Sequence, residues 1–143
     1  KGGAYGVMNS AGRSGEGYFV SYRDPNLKET DQVFEGVADY LEQFDADERD
    51  MTKYVIGTIS DMDTPLLPPY KGAKAVSAWY SGITDEMLAE ERRQVLAAQP
   101  EDIRALAKII RAILSTGSFC VVGNSEKIKE NKELFGSIKN LFN

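Results

Sequence analysis

Apolar positions change their spacing along this chain, and each change marks an element. Ala4-Tyr5-Gly6-Val7-Met8 and Gly17-Tyr18-Phe19-Val20-Ser21-Tyr22 are aromatic and β-branched runs on either side of the polar, glycine-rich stretch Asn9–Gly15. Two such runs around a turn-forming connector predict a β-hairpin. In the second run Tyr18, Val20 and Tyr22 share one face while Phe19, Ser21 and Arg23 share the other, so both faces are partly apolar. That pattern predicts a strand inside a sheet rather than at its exposed edge.

From Asp24 onward the period becomes three to four residues. Asp24-Pro25 supplies an N-cap carboxylate and a proline that loses no hydrogen bond at the first helical position, which predicts a helix start. Val33, Phe34, Val37, Ala38, Leu41 and Phe44 then form one apolar stripe, with Glu29, Asp31, Glu35 and Glu42 outside it. Asp45-Ala46-Asp47 breaks this helix and caps another, striped by Met51, Tyr54, Val55, Ile59 and Met62. Thr64-Pro65 and Pro68-Pro69 end it, because the residue before a proline is driven out of the helical region.

A shorter helix follows over Lys71–Tyr80, with Gly82 as its left-handed terminator. Thr84 caps the next, whose inner face is Leu88, Val95 and Leu96. Gln99-Pro100 opens a longer one with Ile103, Leu106, Ala107, Ile110, Ile113 and Leu114 inward. Phe119-Cys120-Val121-Val122, closed by Gly123-Asn124, predicts a buried strand with Cys120 in the core. Ser125 then caps a terminal helix carrying Ile128, Leu134, Phe135, Ile138 and Leu141. Strands at the two ends with helices between them predict an α+β fold: a small, mostly antiparallel sheet with helices packed on one face.

Composition then limits the chemistry. The 143 residues, 42% hydrophobic and 27% charged, suit one globular domain over residues 1–143. A net charge of -5 argues against a phosphate-binding surface, so no nucleic-acid partner is expected. With no histidine the chain cannot build a Ser-His-Asp or Cys-His nucleophile system, nor an HxxEH zinc helix. Its single cysteine, Cys120, allows no internal disulfide and no thiolate zinc site, which suits a reducing, cytoplasmic setting. No apolar run reaches the roughly 20 residues of a membrane span, so no membrane partner is expected. The start at Lys1, without an initiator methionine, reads as a piece of a longer polypeptide.

Several local patterns carry no chemistry of their own. Lys1-Gly2-Gly3-Ala4-Tyr5-Gly6 lacks the spacing of a phosphate loop and leads into a strand, so its glycines indicate close backbone approach. Asp61-Met62-Asp63 resembles the start of a calcium loop but lacks the glycine and glutamate that complete one. Glu90-Glu91-Arg92-Arg93 and Lys127–Lys132 read as solvated, paired helix surface.

The order of short motifs adds what single motifs cannot. Lys1-Gly2-Gly3-Ala4-Tyr5-Gly6, Ser21-Tyr22-Arg23-Asp24-Pro25-Asn26, Thr64-Pro65 with Pro68 and Lys71-Gly72, and Gly82-Ile83-Thr84-Asp85-Glu86-Met87 follow one another nearly end to end. In that order they resemble the C-terminal end of the presequence protease branch of the pitrilysin and insulinase-like zinc metallopeptidases. The resemblance implies a clamshell of two similar halves around a chamber that admits unstructured peptides. This chain would be the C-terminal part of the non-zinc half, an N-terminally truncated insulinase-like domain partnered by the N-terminal half of the same polypeptide.

Zinc, its ligands and the glutamate base would lie in that N-terminal half, with no metal held here and no activity in this chain alone. Tyr5 would reach the substrate, together with an arginine upstream of Lys1, and Gly2, Gly3 and Ala4 would line the bound peptide. The alternative is a non-catalytic interaction module that keeps the fold for assembly; an HxxEH motif far upstream in the gene separates the two. A hairpin edge bearing Val7, Phe19 and Val20 further predicts that the isolated chain self-associates.

Overall fold

The computed structural model describes residues 3–141. The chain divides into two compact units, one formed by the residues up to Gln43 together with those from Ala105 onward, the other by Phe44–Arg104. Strand β1 (Gly6–Ala11) and strand β2 (Gly17–Tyr22) are followed by helices α1 (Lys28–Glu35), α2 (Val37–Glu42), α3 (Glu48–Met62), α4 (Pro68–Tyr80), α5 (Asp85–Ala97), α6 (Pro100–Ala105), α7 (Ala107–Leu114) and α8 (Ser125–Glu130). A 3-10 turn spans Lys132–Leu134.

In the first unit β1 and β2 pair antiparallel, from Gly6 opposite Tyr22 to Ala11 opposite Gly17. The ladder takes in Asn9, Ser10 and Ala11, which local polarity assigned to the connector: cross-strand partners, not propensity alone, decide where a strand stops. The turn itself is closed by the Gly12 N–H donating to the Glu16 carbonyl at 2.8 Å. Gly15 within it sits at φ +89°, where a side chain would be strained.

Directly opposed residues share a face. Val7, Asn9, Ala11, Gly17, Phe19 and Ser21 therefore lie on one side of the hairpin, and Gly6, Met8, Ser10, Tyr18, Val20 and Tyr22 on the other. Helices cover the β2 part of the first side, while Val7 of β1 on that side stays exposed. Phe34 of α1 meets Phe19 with ring centroids 5.6 Å apart. Gly17 admits α7, since a Cβ there would lie 2.5 Å from Ile113 Cδ1. The second side stays open, with Met8, Tyr18 and Tyr22 each at least half exposed.

Helix α2 packs on α7, and their small residues Ala38 and Ala107 are the most buried in the unit, at 1% and 2% exposure. Arg111 of α7 reaches back to α2, pairing with Asp39 at 3.0 Å and Glu42 at 2.5 Å. The stripe from Val33 to Phe44 does not run on one unbroken helix. Gly36, at φ −76° and ψ −6°, separates α1 from α2, and Val33 is exposed rather than inward. Leu106 likewise separates α6 from α7.

Further expectations for this unit are corrected by the structure. Asp24 does not cap a helix, for α1 begins four residues later with Leu27 before it. Phe119–Val122 has no ladder partner among the described residues, and Cys120 is exposed rather than core. Apolarity favours an extended chain but cannot supply the neighbouring backbone that a strand requires. The terminal helix stops at Glu130, where the Asn131 side chain donates to the Lys127 carbonyl at 2.9 Å. Phe135 then turns extended and stacks on Phe119 at 5.5 Å and 15°. Ile138 and Leu141 are exposed as a result. The cap of α8 is Asn124, one residue before Ser125.

In the second unit Asp47 caps α3 by accepting from the Asp50 N–H at 2.8 Å, and Met51 is its buried anchor. Arg92 of α5 holds Asp63, at the end of α3, through two hydrogen bonds of 2.6 and 2.7 Å. Helix α4 starts at Pro68 rather than Lys71, because a proline in the first turn lacks only a hydrogen bond that no residue there makes. It ends as expected at Gly82, φ +66°, with the Ile83 N–H donating to the Ala78 carbonyl at 2.9 Å and the Gly82 N–H to Trp79 at 3.2 Å. Thr84 then caps α5. The architecture is α+β with an antiparallel sheet and helices, as the pattern of positions predicts, but among the described residues the sheet has two strands, so β2 lies at an edge rather than inside it as its two apolar faces suggested.

Candidate functional site

The residues singled out by the sequence gather where β1 enters the hairpin. The Tyr5 N–H donates to the Tyr22 carbonyl at 3.0 Å, so the pairing continues one residue beyond β1 and fixes the Tyr5 backbone. The Tyr5 ring stands edge-on to Tyr22, with centroids 6.0 Å apart and planes at 84°. Its side chain is nonetheless 78% exposed. A fixed backbone with an exposed phenol is the arrangement a hydrogen-bond donor to an external ligand needs.

Gly3 has a local reason to be glycine. It adopts φ +81°, and a Cβ there would press on Pro25 Cγ at 3.3 Å. The glycine-rich entry is thus a close approach to the loop after β2, as the pattern suggested. Ala4 is half-buried beside it. Gly2 lies outside the described residues.

The loop after β2 holds residues that sequence reading did not assign to the site. Arg23 adopts φ +49°, the one positive φ outside glycine among the described residues. Its guanidinium carbon lies 5.5 Å from the Tyr22 ring centroid and 6.0 Å from that of Tyr5. Asp24, next in the chain, accepts from Ser21 Oγ, from Thr30 Oγ1 at 2.6 Å, and from the Asn26 backbone and side-chain nitrogens at 2.9 and 3.3 Å. Burial pushes the Asp24 carboxyl upward, but the bonds from Ser21, Thr30 and Asn26 outweigh it and hold the group below its ordinary value. Asp24-Pro25-Asn26 is an Asx turn, and an aspartate whose carboxylate takes the N–H two residues on was the available signal.

The other patterns resolve as surface. Asp63 of the apparent calcium loop is taken by Arg92. Glu90 pairs with Arg93, and Lys127 and Lys129 pair within α8. The sequence has no histidine, and among the described residues no group of three or more His, Cys, Asp or Glu is placed to hold a metal. This chain's own side chains therefore do not fit a zinc centre. A cavity of about 590 Å³ lined by Phe119, Cys120, Val122, Ile128, Phe135 and Leu141 includes none of the hairpin-entry residues. No helix among the described residues is long and apolar enough to cross a membrane.

A small α+β domain that presents a tyrosine from a glycine-rich strand entry is the class these features define. The family model of the PreP C-terminal domain matches residues 1–126, and the chain belongs to that family. It is 48% identical to Protein HypA from Clostridium perfringens over 141 residues, which is 99% of this chain and 14% of that protein. It is 35% identical to Presequence protease 1, chloroplastic/mitochondrial, from Arabidopsis thaliana over 128 residues, 89% of this chain and 12% of that protein. Identity to the mitochondrial presequence protease of Xenopus tropicalis is 32% over 124 residues, 86% of this chain and 12% of that protein. The chain thus spans about one-eighth of the length of these relatives.

Proposed function

We propose that this chain forms part of the substrate-facing wall of a zinc-dependent endopeptidase and positions unstructured peptide, with Tyr5 donating a hydrogen bond to the carbonyl oxygen under attack. The observation that carries this reading is Tyr5 itself: backbone-anchored to Tyr22, ring-supported at its edge, and 78% exposed. The names of the relatives support a peptidase parent, and a chain without histidine is consistent with zinc being held by other residues of that parent.

The physical role follows from charge development. A carbonyl oxygen gains negative charge as the tetrahedral intermediate forms, so a donor already in place binds the transition state better than the ground state. The Tyr22 contact holds the ring before substrate arrives, which removes part of the ordering cost. Gly3 and Ala4, with Gly2 before them, would let peptide backbone approach the strand entry closely.

Tyr5→Phe in the full-length gene product removes the hydroxyl and keeps the ring contacts. The expected outcome is a fall in kcat of about 10²–10³ with a smaller change in KM. An unchanged kcat would assign Tyr5 to packing.

A further inference from the structure

Arg23 and Asp24 are adjacent in the chain and opposite in charge, yet they do not pair. Asp24 is already occupied by Ser21, Thr30 and the two nitrogens of Asn26. A carboxylate has about four lone-pair sites, so these donors saturate it. Arg23 is left with the rings of Tyr22 and Tyr5, 5.5 and 6.0 Å away, and among the described residues no carboxylate meets it. Arg92, Arg93, Arg104 and Arg111 each reach a carboxylate, whereas Arg23 stands against two aromatic rings in a chain whose net charge is -5.

Its placement is also fixed. At φ +49° Arg23 occupies a region that non-glycine residues enter only when the surroundings over-determine it. Those surroundings are the β2 ladder on one side and the Asp24 bonds to α1 on the other. A cation over aromatic rings keeps its in-plane N–H donors without an oxygen acceptor, and the fork of a guanidinium matches a carboxylate.

We infer that Arg23, seated on Tyr5 and Tyr22, is a binding site for a carboxylate of the peptide, supplied by an acidic side chain or by a free C-terminus. The inference rests on the proposed role of Tyr5, which brings peptide to this corner. Arg23 then selects among peptides, whereas Tyr5 acts on the bond to be cleaved in all of them. Ser21, Thr30 and Asn26 contribute indirectly, by keeping Asp24 from neutralising the guanidinium.

The test is equilibrium binding to the full-length gene product, under chelating conditions that prevent turnover. Three labelled peptides of one sequence are compared by fluorescence anisotropy: a glutamate peptide with a free C-terminus, its C-terminal amide, and its glutamine counterpart. The parent peptide should bind about tenfold more tightly than one of the neutralised forms, by an amount that shrinks with added salt. Loss on amidation identifies the C-terminus, and loss on glutamine replacement identifies the side chain.

Arg23→Met, which keeps an apolar stem against the tyrosines, should abolish the preference, and Arg23→Lys should retain part of it. Should the methionine variant not fold, the lysine variant and the salt series decide. Absence of any preference, or a preference that survives Arg23→Met, overturns the site. Equal weakening of all three peptides also overturns it, since that is the signature of packing alone. If Tyr5→Phe leaves kcat unchanged while Arg23→Met still loses the preference, the role of Tyr5 falls and the carboxylate site stands.

Discussion

Thr30 Oγ1 donates to Asp24 Oδ2 at 2.6 Å, a bond that ties α1 to the loop leaving β2. Through it the same carboxylate that orders the Asx turn also fixes the helix carrying Phe34 against Phe19. The hairpin entry and the first helix are therefore one mechanical piece, and strain at Arg23 is held between them.

Asp24→Ala leaves four donors, from Ser21, Thr30 and Asn26, without their acceptor and should destabilise the domain by about 1–3 kcal/mol in denaturant unfolding. The carboxyl is held below its ordinary value in the folded state, so its contribution is complete above the unfolded value of 3.8 and is lost as pH falls through the lower folded value. Stability of the wild type relative to Asp24→Ala should be flat from pH 7 to about 5 and should narrow in more acid solution. A difference that grows on acidification contradicts the sign.

The contact between α2 and α7 offers a comparison of magnitudes. Ala38 is fully enclosed, so Ala38→Leu should cost about 1–3 kcal/mol through overpacking. Arg111, exposed beside Asp39 and Glu42, should contribute less than that, and Arg111→Ala should lose its effect in high salt. A larger, salt-independent loss for Arg111→Ala would mean that ion pairing, not small-residue packing, joins the helices.

Cys120 should react with a thiol reagent in the native protein at the rate of an exposed cysteine, without prior unfolding. Protection that disappears only with denaturant would return the residue to the core.

What the sequence made legible follows from how local each signal is. Asp47, Thr84 and Gly82 act within a turn of themselves, and each does what its type and position predict. The strand at Phe119–Val122 and the helix through Leu141 depended on partners many residues away. There a long-range stack between Phe119 and Phe135 replaced the periodic pattern. Tyr5 was singled out by the resemblance that its motif carries, while the motif's glycines alone pointed only to the close approach that Gly3 makes to Pro25. The Arg23 and Asp24 pair was not legible, because proline after aspartate signals a helix start as readily as an Asx turn, and only Thr30 and Ser21 in space distinguish them.

The central claim is that Tyr5 meets the carbonyl oxygen as it becomes charged, and binding of two ligands to the full-length gene product tests it directly. One is a peptide bearing a tetrahedral phosphonate in place of the scissile amide; the other is the matching uncleaved peptide. Tyr5→Phe should weaken the phosphonate by about the same 10²–10³ by which it lowers kcat/KM, while leaving affinity for the uncleaved peptide nearly unchanged. Equal affinity of wild type and Tyr5→Phe for the phosphonate, or equal weakening of both ligands, would contradict the account.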